Sequence, residues 1–129
     1  GATARASIEG MLNAATDAFT TPGKPRGCMV VLGALNCTRE NRELEDYMRS
    51  LRSRRQKIIR QRIERGKEEG DLPKGADIAA MTSFYSTLLD GLAIRARDGA
   101  SRAELGAAID CAMAAWDAFA NKRGSSRAA

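Results

Sequence analysis

Residues 76–121 read ADIAAMTSFYSTLLDGLAIRARDGASRAELGAAIDCAMAAWDAFAN, and this stretch decides the fold. In its first half Ile78, Met81, Phe84, Tyr85, Leu88, Leu89 and Leu92 recur at steps of three and four, the period of one helical face. In its second half Leu105, Ile109, Ala112, Met113, Trp116 and Ala120 keep the same step. Asp98-Gly99-Ala100-Ser101 separates the two. Gly99 suits the left-handed conformation that closes a helix, and Ser101-Arg102-Ala103-Glu104 has the form of a capping box that opens the next. Two helices joined this tightly run roughly antiparallel, with apolar faces that meet. The second is rich in small residues, among them Ala103, Gly106, Ala107, Ala108, Ala112, Ala114, Ala115 and Ala118. Such side chains shorten the distance between helix axes, with Trp116 and Phe119 as bulky plugs. A pair this apolar exceeds the needs of one partner helix, which predicts that it also forms an interface with a second copy.

The chain has 129 residues, enough for one domain with a core. Hydrophobic content is 43% and charged content 29%, a globular rather than a disordered or membrane profile. No apolar run approaches the roughly 20 residues of a membrane helix, and no charged-then-apolar leader marks secretion. Cys28, Cys37 and Cys111 are odd in number and widely spaced, which argues against a disulfide framework and for a reducing, cytoplasmic compartment. They read best as small buried hydrophobes. With no CxxC pair and no histidine, a zinc site is not expected, and the commonest general base is missing.

Working back towards the start, residues 41–69 form a long charged helix with Leu44, Tyr47, Met48, Leu51, Ile58, Ile59 and Ile63 on its apolar face. Glu40, Glu43, Glu45 and Asp46 sit where the helix dipole favours acids. Residues 49–67 hold nine bases against one acid, a local charge of +8 in a chain of +5. Gly66, Gly70 and Pro73 end this helix, and residues 71–75 turn the chain into the organising pair. Before it, Arg26-Gly27-Cys28-Met29-Val30-Val31-Leu32-Gly33-Ala34-Leu35-Asn36-Cys37 is apolar all round, so burial on every side is expected. Periodicity alone does not separate helix from strand here; with no second strand candidate to pair with it, helix is the reading. Residues 3–19 carry Ile8, Met11, Leu12, Ala15 and Phe19 at helical spacing and stop at the prolines and glycine of residues 20–25. A helix starting so near residue 1 suggests a chain cut from something longer. Residues 1–121 are expected to form the domain and residues 122–129 a polar, frayed tail.

The basic stretch is the loudest chemical signal. A nucleic-acid reading has Arg52, Arg54, Arg55, Lys57, Arg60 and Arg62 on phosphates. However, the bases spread round the helix, no recognition-helix pattern is present, and no aromatics interleave for base stacking. A solvated face, or pairing with acids elsewhere, is preferred. A second set, with Met11, Met29, Met48, Met81, Phe19, Tyr47, Phe84 and Tyr85, reads either as plain core or as an apolar pocket between helices with a few polar handles. Asn36 is the best handle, Tyr47, Tyr85 and Thr82 supply hydroxyls, and Gly33 adds room. Asp90 sits on an apolar helix without an evident partner, Gly23, Gly27 and Gly33 do not fit a phosphate loop, and no catalytic set emerges. The chain is therefore not expected to be an enzyme, nor to carry a cofactor.

Arg26-Gly27-Cys28 opening an apolar helix, the long helix ending Arg65-Gly66-Lys67-Glu68-Glu69-Gly70-Asp71-Leu72-Pro73, and Leu89-Asp90-Gly91-Leu92-Ala93 running on to Arg97-Asp98-Gly99-Ala100-Ser101-Arg102-Ala103-Glu104-Leu105 resemble the C-terminal domain of TetR-type transcriptional regulators. The resemblance runs from about Ile8 to Trp116. It implies an all-α, five-helix regulatory domain whose last two long helices, residues 76–96 and 102–120, build a four-helix bundle across a homodimer. The interface is then expected at Leu89, Leu92, Leu105, Ile109, Ala112, Met113 and Trp116. It further implies a ligand cavity lined by Met11, Phe19, Met29, Leu32, Gly33, Asn36, Tyr47, Met48, Leu51, Met81, Phe84, Tyr85 and Leu88. The partners expected are a second copy, a small apolar or amphipathic inducer, and DNA only through an N-terminal helix-turn-helix that this chain lacks. A stand-alone helical adaptor, binding an acidic protein partner through residues 49–67, is the alternative.

Overall fold

A computed structural model of the chain describes residues 1–32 and 41–121. Those residues form five helices: α1 (Ala4–Phe19), α2 (Met29–Leu32), α3 (Arg42–Glu68), α4 (Ile78–Arg97) and α5 (Arg102–Asn121). The fold is all-α, as the periodicities require, and each boundary has a local cause. Thr3 caps α1 by accepting from the Ala6 N–H at 3.1 Å. Asp77 caps α4 in the same way through the Ala80 N–H at 3.0 Å. The capping box at the start of α5 is reciprocal: the Glu104 N–H donates to Ser101 Oγ at 3.1 Å and the Ser101 N–H to Glu104 Oε2 at 2.9 Å. Between α4 and α5, Gly99 takes φ 96°, a conformation costly for any residue with a Cβ, and the Ala100 N–H closes the turn on the Arg95 carbonyl at 3.0 Å.

The first helix is the centre of the packing. α1 lies against α3, α4 and α5, and α5 packs chiefly on α1. Ile8 and Leu12 of α1 are buried together with Ile59 and Ile63 of α3, Met81, Tyr85, Leu89 and Leu92 of α4, and Leu105, Ile109, Met113 and Trp116 of α5. The inner faces of α4 and α5 thus converge on α1 as much as on each other. At the other end of α1 the approach to α3 is closest: a methyl group added at Gly66 would overlap that of Ala4. Asp71, in the turn after α3, accepts from the Ala4 N–H at 2.6 Å. Arg62 of α3 reaches the Ala2 carbonyl at 2.7 Å and Ser7 Oγ at 3.0 Å.

Three expectations need correction. The segment that opens α2 is not buried on every side: Val31 is buried, but Met29 is 76% exposed, because one short turn of helix shows only one side to α3 and α4. On α3, Leu44, Tyr47 and Ile58 are exposed at 44%, 58% and 62%. They share the helical period with Ile59 and Ile63, but only the latter two face α1 and α4. Cys28 is half-buried and Cys111 exposed, so neither is a fully buried hydrophobe. Cys37 and the tail at residues 122–129 lie outside the described residues.

Candidate functional site

The inner and outer faces of the α4–α5 pair differ in kind. Leu89, Leu92, Leu105, Ile109, Ala112, Met113 and Trp116, expected at an interface, are between 1% and 4% exposed. They fill the protomer's own core and have no surface left to give to another copy. The reason is that each helix carries two apolar stripes, and the one that meets α1 goes inward. On the outer side, Phe84 and Ile94 of α4 and Phe119 of α5 are 43%, 40% and 37% exposed. Alongside them Ala107, Cys111, Ala114 and Ala118 are exposed on α5. Between the two helices runs a groove of about 280 Å³ lined by Leu88, Gly91, Leu92, Arg95, Glu104, Leu105 and Ala108.

The residues expected around a ligand cavity divide three ways. Phe19, Met81 and Tyr85 are buried in the core, with Met11 and Leu88 half-buried against it. Tyr85 is wholly buried, and its hydroxyl donates to the Ala112 carbonyl at 2.9 Å. Its ring lies 5.0 Å from Phe84, edge on, and 5.5 Å from Trp116. Burial pushes its phenol up to about 12. The hydroxyl therefore joins α4 to α5 and is not a free handle on a cavity wall. Met48 and Leu51 are half-buried on α3, whereas Met29, Tyr47 and Phe84 face outward. Gly33 and Asn36 lie outside the described residues, as does the side chain of Leu32 at the end of α2.

Sequence reading missed the arginines that tie one helix to another. Arg26, in the loop after α1, donates through Nε to the Ala96 carbonyl at 2.7 Å and through Nη2 to the Ala100 carbonyl at 2.5 Å. It thereby ties the loop after α1 to the end of α4 and to the turn that follows it. Arg52 Nη1 holds the Val30 carbonyl at 2.7 Å, fastening α2 to α3. Asp90 has a partner after all, forming an ion pair with Arg55 between α3 and α4. The available signal was a lone carboxylate on an apolar helix opposite a strongly basic one. Elsewhere on α3, Arg49, Arg60 and Arg65 pair with Glu45, Glu64 and Glu69 one turn away. The Arg65 hydrogen bond holds the Glu69 carboxyl below its ordinary range. Across the α1–α5 contact Arg5 meets Asp117 at 2.7 Å, and Arg102 meets Asp17 at 2.5 Å. The Arg5 hydrogen bond likewise lowers Asp117, and Asp117 in turn raises Arg5.

An α1 enclosed by a long charged helix and an apolar terminal pair makes an all-helical domain. The family model described as "Tetracyclin repressor-like, C-terminal domain" matches residues 4–111, and the chain belongs to that family. It is 22% identical over 92 residues to the HTH-type transcriptional repressor ComR of Escherichia coli (strain K12), covering 71% of this chain and 44% of the repressor. A solved structure of a cysteine-substituted TetR family transcriptional regulator CifR, complexed with 26-bp operator DNA, matches with TM-score 0.86 and 34% identity. That match covers 90% of this chain and 61% of the regulator. A TetR transcriptional regulator from Rhodococcus sp. RHA1 matches with TM-score 0.74 and 30% identity, over 89% of this chain and 61% of its own. The chain thus spans less than two thirds of the length of each of these relatives. Among the described residues no helix is long and apolar enough to cross a membrane.

Proposed function

We propose that this chain is the ligand-sensing and dimerisation part of a DNA-binding transcriptional regulator, and that the regulator is a repressor released by a small apolar or amphipathic inducer. The single observation that carries the dimer is the exposed apolar face of α4 and α5, where Phe84, Ile94 and Phe119 stand beside exposed alanines. Large side chains at the edges with small ones between them suit a second helix pair packed closely against the first. The family and its operator-bound relative support the regulatory reading.

The mechanism is a shift of population. An inducer that binds one arrangement of the helices better draws the molecule towards it by its differential affinity. Repacking at a bundle shared by two copies changes the spacing of the DNA-reading parts they carry. Half-sites lie roughly 34 Å apart for each turn of DNA, so a small rotation breaks the fit.

Sedimentation equilibrium of the chain at micromolar concentration tests the first step. A dimer is expected, and Ala114→Glu or Phe84→Glu on the outer face should convert it to a folded monomer. A wild-type chain that stays monomeric, or charged variants that stay dimeric, removes the bundle from the proposal. Substituting Trp116 or Leu105 instead would unfold the protomer, because both are core.

A further inference from the structure

The basic part of α3 meets α4 along two open grooves that share Ser53 and Gln56. One, of about 420 Å³, passes Lys57, Arg60 and Thr82. The other, of about 230 Å³, passes Arg52, Arg55, Ser86 and Asp90. Together the walls carry five cationic side chains, Arg49 completing the set, against one carboxylate. Thr82 and Ser86 lie one turn apart on α4. Thr82 is 3% exposed, and the hydroxyls of both are buried with no hydrogen-bond partner among the described residues. Hydroxyls are costly to keep in that state and call for a specific reason.

Oxyanions match this set of donors. A guanidinium presents paired N–H groups in the geometry of a carboxylate or phosphate, and hydroxyls add single donors. All four guanidiniums already hold acceptors: Arg49, Arg55 and Arg60 the carboxylates of Glu45, Asp90 and Glu64, and Arg52 the neutral Val30 carbonyl. We infer that the α3–α4 groove past Ser86 and Asp90 is a binding site for an oxyanion, a carboxylate or phosphate group, taken by Arg52 and Arg55 with the Ser86 hydroxyl beside them. Asp90 and the Val30 carbonyl are its internal competitors. A bound oxyanion takes N–H groups from both, so that α3 loosens its hold on α4 and α2 together. The inference needs only the folded protomer and does not depend on how the outer face of α4 and α5 is used.

Isothermal titration calorimetry of the full chain provides the test, with benzoate, phenyl phosphate and inorganic phosphate as probes, each at constant ionic strength against chloride. Saturable binding is expected for at least one probe, weakened about tenfold or more in Arg52→Gln and in Arg55→Gln, as for the loss of one charge-assisted contact. Asp90→Asn removes the resident carboxylate and should tighten binding several-fold; a merely structural Arg55–Asp90 pair would give lower stability with no gain in affinity. Tighter binding of phenyl phosphate than inorganic phosphate supports the site and makes its ligand an organic molecule, whereas equal affinity supports it and makes the ligand the free anion. No saturable heat with any probe overturns the inference. So does an affinity unmoved in Asp90→Asn and Arg52→Gln when circular dichroism shows both folded.

Discussion

Glycine at position 66 and tyrosine at position 85 set two of the closest contacts in the molecule. At Gly66 a single added methyl group meets the Ala4 methyl, and both belong to helices whose backbones are already committed. Gly66→Ala should therefore cost about 1–3 kcal/mol, as overpacking does, read as a lower midpoint in urea unfolding. Gly10 is the contrasting case: it lies in the interior of α1, and an added Cβ meets nothing within 4 Å. There Gly10→Ala should stabilise by about 0.5–1 kcal/mol, because alanine loses less backbone freedom on forming a helix. Tyr85 gives a pH dependence. Its phenol titrates near 10 when unfolded and is pushed up to about 12 by burial. The stability it contributes is fully present below pH 10 and is lost as pH rises towards 12. In Tyr85→Phe this part of the alkaline fall in thermal stability should disappear, and about 0.5–1.5 kcal/mol should go with the hydrogen bond to Ala112. Asp117 has the opposite sign. Its carboxyl is lowered by Arg5, so its contribution is present above the ordinary carboxylate range and lost in acid.

Among the helices, α1, α3, α4 and α5 were legible because each carries several turns of apolar period and its own punctuation. The reciprocal bonds of Ser101 and Glu104 are those expected from the four letters alone. Ser101→Ala should lower stability by about 1 kcal/mol, measured by denaturant titration. The choice between the two apolar stripes of α4 and α5 was not legible. Period fixes which residues share a face, but not which face meets α1 and which is left outside. Leu105 and Trp116 went inward and Phe84 and Phe119 outward, a result set by where α1 lies. Tethers were equally hidden, since Arg26 and Ala96 are 70 residues apart. No periodicity links a loop arginine to the last carbonyls of a distant helix. Asp90 and Arg55 shared that difficulty, although their charges were each conspicuous.

At the scale of the molecule, a core packed about α1 leaves two outward surfaces, the outer side of α4 and α5 proposed to meet a second copy and the α3–α4 groove proposed to take an oxyanion. The two surfaces share α4, so what binds at Asp90 bears on the helix that presents Phe84 and Ile94. The central place of α1 also has a consequence in time. Its Arg5 and the Asp117 of α5 that pairs with it are 112 residues apart, and α5 is the helix against which α1 packs most extensively. At a synthesis rate of about 5–20 residues per second, several seconds pass between the making of α1 and that of α5. Loop-closure entropy must be met over nearly the whole chain before these contacts form. A nascent chain ending at Asp98 should thus remain protease-sensitive and bind a hydrophobic dye, and a compact, resistant product at that length would show that α5 is dispensable. Until α5 is made, the side of α1 that α5 covers stays an exposed apolar strip, the kind of transient surface that makes an incomplete chain prone to aggregate.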